Sequence, residues 1–172
     1  GLGDVYKRQI LSTAVLLFLD QIAKYLAVLH LKGQAAIPII KNVFELQYLE
    51  NQGAAFGIMQ GKKTFFVIGT LIFLVIVVIL YHNIPLTKRF TPIRIVAVLI
   101  VAGAIGNMID RVVHQYVIDF FYFKLINFPI FNVADIYVVV ACILFILLML
   151  FYYKEEELGQ IFPFMKSKKA EE

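Results

Sequence analysis

Residues 64–81 run for eighteen positions without a charge. A helix needs about 20 mostly apolar residues to cross the hydrocarbon core of a bilayer. This stretch is therefore read as a membrane span. Residues 136–153 are equally clean. Residues 93–109 hold one charge, Arg94, at the end, where it can snorkel to the interface. Residues 10–31 complete the set and carry Asp20 and Lys24. Any one run could be the buried helix of a soluble protein. Four of them, covering nearly half the chain, argue against that. Composition agrees: 61% of the residues are hydrophobic and 16% charged, against about 45–50% and 25% in soluble domains. The expected fold is an all-α membrane protein with four transmembrane helices.

The connecting segments differ in character. Residues 32–63 contain Gly33, Pro38, Gly53, Gly57 and Gly61, and residues 43–48 mix β-branched, aromatic and polar groups. The segment between helices 1 and 2 is thus expected to hold a small extracytoplasmic β element. Residues 114–133 are aromatic-rich, and a charged tail spans 154–172. Residues 1–9 are set aside as a non-native remnant, leaving 10–153 as one four-helix unit. Lys and Arg number nine on the side of the termini and the 82–92 link with nearby Arg94, and six on the other. That bias puts both termini and the tail in the cytoplasm. The +4 net charge then reflects topology rather than nucleic-acid binding. A single cysteine, Cys142, permits no internal disulfide, and no Cys/His cluster suggests a metal. No cofactor is expected.

Polar groups inside spans are expensive and usually functional. Asp20 and Lys24 lie four apart and share a helix face. They form either a structural ion pair or a contact to substrate. Asn107 and Arg111 share a face in the same way, after the small residues Ala102, Gly103, Ala104 and Gly106. Asp110 stands beside Arg111, where a salt bridge would hold it ionised and poorly suited to move protons. Asp119 is flanked by Val117, Ile118, Phe120 and Phe121, so desolvation would favour its neutral acid. Asp135 opens the fourth span. Two carboxyls brought together resist double ionisation and supply a general base and a general acid. Spacing alone does not establish such a pair. Asp135 could simply cap its helix, and Asp119 could be an exposed loop acid. Asn51, before Gly53, can donate to and accept from a peptide, although the segment also reads as an ordinary turn.

Together these pieces resemble the lipoprotein signal peptidase (signal peptidase II) family over about residues 10–153. The motifs are Asp20-x-x-x-Lys24, Asn51-x-Gly53-Ala54-Ala55-Phe56, Gly106-Asn107-x-x-Asp110-Arg111, Val117-Ile118-Asp119-Phe120 and Phe131-Asn132-x-Ala134-Asp135. Each is weak alone; five in order are specific. The resemblance implies an aspartic endopeptidase of the bacterial inner membrane. It would cut diacylglyceryl-modified prolipoproteins just before the lipidated cysteine. Asp119 and Asp135 would be catalytic. Asn51, Gly53, Asn107, Arg111 and Asn132 would hold substrate, with Asp20, Lys24 and Asp110 in support. The resemblance also implies contact with membrane lipids and inhibition by globomycin-type peptides, and the Lys and Arg bias independently puts the active site near the outer face. One chain supplies every motif, so a monomer is expected. A proton-coupled transporter would instead spread its acids through the membrane depth. A scaffold would need no paired acids.

Overall fold

The computed structural model describes residues 2–53 and 62–165. Four of its helices are long and apolar enough to cross a membrane. They are α1 (Leu2–Leu31), α2 (Lys63–His82), α3 (Thr91–His114) and α4 (Val133–Leu147). A wider turn, Leu148–Tyr152, extends α4. All four expected spans are present, and α1 begins well before residue 10.

The third helix is the hub and packs against α1, α2 and α4. Its small residues explain why. A Cβ on Gly103 would sit 2.6 Å from the Ala134 carbonyl oxygen, and one on Gly106 would sit 2.5 Å from Asp20 Oδ2. Only glycine lets α4 and α1 approach this closely, the usual logic of helix packing in lipid. The second helix packs against α3, and among the described residues it buries none of its own. Its apolar surface is suited to lipid on nearly every side.

Three strands form one antiparallel sheet in the order β1 (Ile37–Ile40), β2 (Phe44–Asn51) and β3 (Val117–Tyr122). The expected strand at 43–48 is β2. The sheet is wider than expected, because β3 comes from the aromatic-rich segment between α3 and α4. Ile118 and Phe120 of β3 pack with Ala27 and Leu31 of α1, which seats the sheet on the end of that helix. Phe121 and Phe131 exchange backbone hydrogen bonds at 2.8 and 3.0 Å. This closes the loop after β3 and delivers the chain to the start of α4.

At the other end, part of the charged tail is folded as a short helix, α5 (Glu155–Ile161). Leu158, Ile161 and Phe162 are buried with Ile84, Phe90, Ile93 and Leu148. Arg89 pairs with Glu157 at 2.9 Å and stacks over the Tyr152 ring. Arg94 turns back toward the link that precedes α3. It is 4% exposed and donates to the carbonyls of Pro85 and Thr87. The guanidinium adds a donor to the Thr87 carbonyl, which also accepts the Phe90 N–H, and satisfies the Pro85 carbonyl.

Candidate active site

The helix–helix contact between α1 and α3 is organised by one buried cation. Lys24 is 1% exposed. Its Nζ lies 3.0 Å from Asp20 Oδ2, 2.9 Å from Asp110 Oδ2 and 3.0 Å from Asn107 Oδ1. An ammonium has three N–H groups, and all three are used. The carboxylates are held from other sides as well. Asp20 Oδ1 accepts from the Ala134 N–H at 2.8 Å, and Asp110 Oδ2 accepts from the Ile118 N–H at 3.0 Å. A buried charge survives only when paired and hydrogen-bonded in this way. The cluster therefore ties α1, α3, α4 and β3 together. Of the two readings of Asp20 and Lys24, the structural ion pair fits this geometry.

Asp110 departs from expectation. It pairs with Lys24 across the helix contact, not with its neighbour Arg111. Adjacent residues on a helix do not face each other. Arg111 turns the other way. It donates to the Asn107 carbonyl at 3.4 Å and the Gly53 carbonyl at 3.3 Å, and it lies over the Phe66 ring. Gln21 was not anticipated. Its Nε2 donates to Asp20, Asp110 and the Gly106 carbonyl at 3.2, 3.2 and 3.3 Å. An amide beside Asp20 within an apolar run was the available signal.

Asp119 sits in β3 and Asp135 in the first turn of α4. Both line one cleft of about 750 Å³, together with Asn51, Gly53, Asn107 and Arg111. The remaining wall is apolar and comes from Val138–Val140 on α4 and from Phe123, Ile126, Phe128 and Phe131. Residues 54–57 of the glycine-rich motif lie outside the described residues.

Three asparagines present amide donors to the acids. Asn51 Nδ2 lies 2.9 Å from Asp119 Oδ2, and Asn132 Nδ2 lies 2.7 Å from Asp119 Oδ1. Asn107 Nδ2 lies 2.8 Å from Asp135 Oδ1, and the Asn132 backbone N–H lies 3.0 Å from Asp135 Oδ2. Asn132 also donates to Asn107 Oδ1 at 3.0 Å. Asn132 and Asp135 form a capping box at the head of α4, so the helix-cap reading of Asp135 is part of the truth. Asn132, expected to contact substrate, is instead wholly buried and holds the acids from behind. Asp119 is not an exposed loop acid; it is 2% exposed. Burial first, and the charge of Asp135 second, push its carboxyl up to about 7, against the pull of its amide donors.

Membrane-length helices enclosing a cleft with two buried carboxyls define a multi-pass membrane protein with an enzyme-like site. The chain matches the family described as Signal peptidase (SPase) II over residues 12–151, and it belongs to that family. It is 44% identical over 136 residues to a lipoprotein signal peptidase of Caldanaerobacter subterraneus subsp. tengcongensis, covering 78% of this chain and 90% of that protein. A lipoprotein signal peptidase of Clostridium novyi is 44% identical over 131 residues, with 74% and 87% covered. One from Streptococcus pyogenes serotype M5 is 38% identical over 150 residues, with 87% and 95% covered. A solved bacterial membrane enzyme, determined by the in meso method at 2.3 Å, superposes with a TM-score of 0.74. It shares 32% identity and covers 84% of this chain and 88% of its own.

Proposed function

We propose that this protein is an aspartic endopeptidase that removes the signal peptide from diacylglyceryl-modified bacterial prolipoproteins, cutting just before the lipidated cysteine. The relatives are named as lipoprotein signal peptidases. The observation that carries the catalytic assignment is that Asp119 and Asp135 line one cleft and are bridged by a single residue, Asn132.

With its carboxyl pushed up to about 7, Asp119 keeps a proton near neutral pH, and Asp135 serves as the base. Water attacks the peptide carbonyl carbon before the cysteine and gives a proton to Asp135. Asp119 gives its proton to the carbonyl oxygen. The tetrahedral intermediate then collapses and the C–N bond breaks. The proton on Asp135 passes to the departing cysteine amine, and the intermediate's hydroxyl proton returns to Asp119. The products are a free signal peptide acid and a cysteine with a free amino group.

Asn51, the Gly53 carbonyl and Arg111 line the cleft and are suited to substrate backbone. The apolar wall suits acyl chains and the signal peptide's apolar run. Asp20, Lys24 and Asp110 support the site from within the bundle. Residues 10–153 act as one peptidase unit, as a monomer. Both termini lie in the cytoplasm with the acids near the outer face, an orientation supported by the Lys and Arg bias. Globomycin-type peptides compete for the same cleft.

The test is cleavage of a diacylglyceryl-modified prolipoprotein by purified protein in detergent. Wild type should cleave, and Asp119→Asn and Asp135→Asn should each bind substrate but fail to cut it. Activity retained in Asp119→Asn, with loss in Asp110→Asn, would show the wrong acids to have been paired.

A further inference from the structure

Each asparagine that serves the acids has its oxygen held by a group that can only donate. Asn51 Oδ1 accepts from the Gly53 N–H at 3.0 Å, and Asn132 Oδ1 accepts from the Asp135 N–H at 3.0 Å. Asn107 Oδ1 accepts from Lys24 Nζ and from Asn132 Nδ2, each at 3.0 Å. An amide with its oxygen pinned must turn its NH2 the other way. All three therefore point donors at carboxylates, and all four carboxyl oxygens of the pair receive one. Two of the pins are backbone N–H groups of the site itself. The other two meet on Asn107: the Asn132 amide, and the Lys24 side chain from another helix.

We propose that Lys24, which touches neither acid, is a positioning residue that acts with Asn132 to fix the orientation of the Asn107 amide and so keeps a donor on Asp135. Flipping Asn107 would set its NH2 against the ammonium and its oxygen against Asp135, a clash at both ends. Without Lys24 the penalty at that end falls to what the Asn132 amide alone imposes. Asn107 then turns more readily to accept a hydrogen bond from protonated Asp135, and the acid gains a partner in its neutral form. This rests on the assignment of Asp135 as the base under the proposed function. The groups facing Asp135 are Asp119 on β3, Lys24 and Asp20 on α1, and Asn107 and Arg111 on α3.

Lys24 also acts on the acids simply as a charge, so the experiment must separate the two roles. A double-mutant cycle does this. The pH profile of kcat/KM is measured for wild type, Lys24→Met, Asn107→Leu and the double variant. Asn107→Leu keeps the cation and removes the relay. If the relay operates, both single variants move the acid limb to higher pH by about one unit, the scale of one hydrogen bond to a charged group. The double variant then moves it little further. Shifts that add, or an unmoved limb in Asn107→Leu, would overturn the proposal.

Should Lys24→Met fail to fold, the cycle is run in Asp110→Asn, which removes one of the anions left unpaired. Lys24→Arg, which keeps both donors and charge, should restore the wild-type profile more than Lys24→Met does. If wild type cuts no prolipoprotein, the proposed function fails and the kinetic readout goes with it, while the hydrogen-bond relay to Asp135 is read separately. Isotope-edited infrared titration of the aspartates in the same four proteins then reads the carboxyl of Asp135 directly, with the same shifts expected and the same additive result against it.

Discussion

Asn132 Nδ2 lies 2.7 Å from Asp119 Oδ1, inside the protein and behind the cleft. The same residue holds Asp135 through its backbone N–H and pins Asn107 through its amide. Asn132 therefore sets the spacing of the two acids while staying out of substrate's reach. Asn132→Ala removes the amide but leaves the backbone bond to Asp135. The expected result is a fall in kcat of about 10²-fold or more, since a misplacement near 1 Å costs that much. KM should change little, because no substrate contact is lost. Steady-state kinetics on the lipidated substrate make the check. A rise in KM with unchanged kcat would count against this role.

The proton on Asp119 sets the high-pH side of activity. Its carboxyl is pushed up to about 7 from an ordinary 3.8, and the neutral form is the one needed as an acid. The kcat/KM profile should fall above about pH 7, approaching tenfold per unit. Asn51 donates to Asp119 and so favours its ionised form. Asn51→Leu should move this limb to higher pH. The sign for stability follows from the same displacement. A raised folded value means the contribution of Asp119 is full below its ordinary value and is lost as pH rises through about 7. Asp119→Asn should flatten that part of the stability curve, measured by thermal unfolding across pH.

The four spans were legible in the sequence because lipid imposes a length and a composition that few other contexts share. The acids were legible as a set, since polar groups in apolar surroundings stand out. Their partners were less so. Reading Asp110 against Arg111 used neighbourhood in sequence, whereas helix geometry sent Asp110 to Lys24 and Arg111 toward Gly53. β3 was hidden because Val117–Tyr122 shows no polar–apolar alternation, both faces being apolar apart from Asp119 and the Tyr122 hydroxyl. Its identity as a strand comes from pairing with β2, a contact across more than sixty residues of sequence. The role of Asn132 behind the acids depends on burial, which no local pattern reports. In the same way, the acidic start of α5 reads as a solvated tail, and only the docking of Leu158 and Ile161 makes it part of the fold.

Gly106 is where α1 meets α3 beside the Lys24 cluster. A Cβ there would stand 2.5 Å from Asp20 Oδ2 and 3.3 Å from the Ala134 Cβ. Neither neighbour can yield freely, because Asp20 is held by Lys24 and the Ala134 N–H. Gly106→Ala should destabilise the protein by about 1–3 kcal/mol, the usual cost of overpacking, and should lower activity through the displaced cluster. Gly69→Ala is the matched control. Nothing lies within 4 Å of a Cβ at that position, so stability should be unchanged or slightly raised. Thermal unfolding in one detergent compares the pair.

The outer edge of the sheet carries an apolar surface that water would not tolerate well. Ile37, Ile39 and Ile40 of β1 are 44%, 57% and 55% exposed, and Leu125 and Ile126 are each 68% exposed. The Leu125 N–H donates to the Val43 carbonyl at 3.3 Å, which joins the loop to the β1–β2 turn. An open strand edge does not enter the hydrocarbon core, because its N–H and C=O groups would go unpaired. The edge is therefore expected to rest at the headgroup level, with its isoleucines in the upper acyl region and Lys41 and Lys124 among the phosphates. The chain contains no Trp, so a single introduced Trp reports on one place. In vesicles, Ile39→Trp and Ile126→Trp should be quenched by lipids brominated near the top of the acyl chain more than by lipids brominated near its end. Gln34→Trp, on an exposed polar turn, should be quenched less than either. Equal, weak quenching at all three positions would place the sheet in water, away from the bilayer.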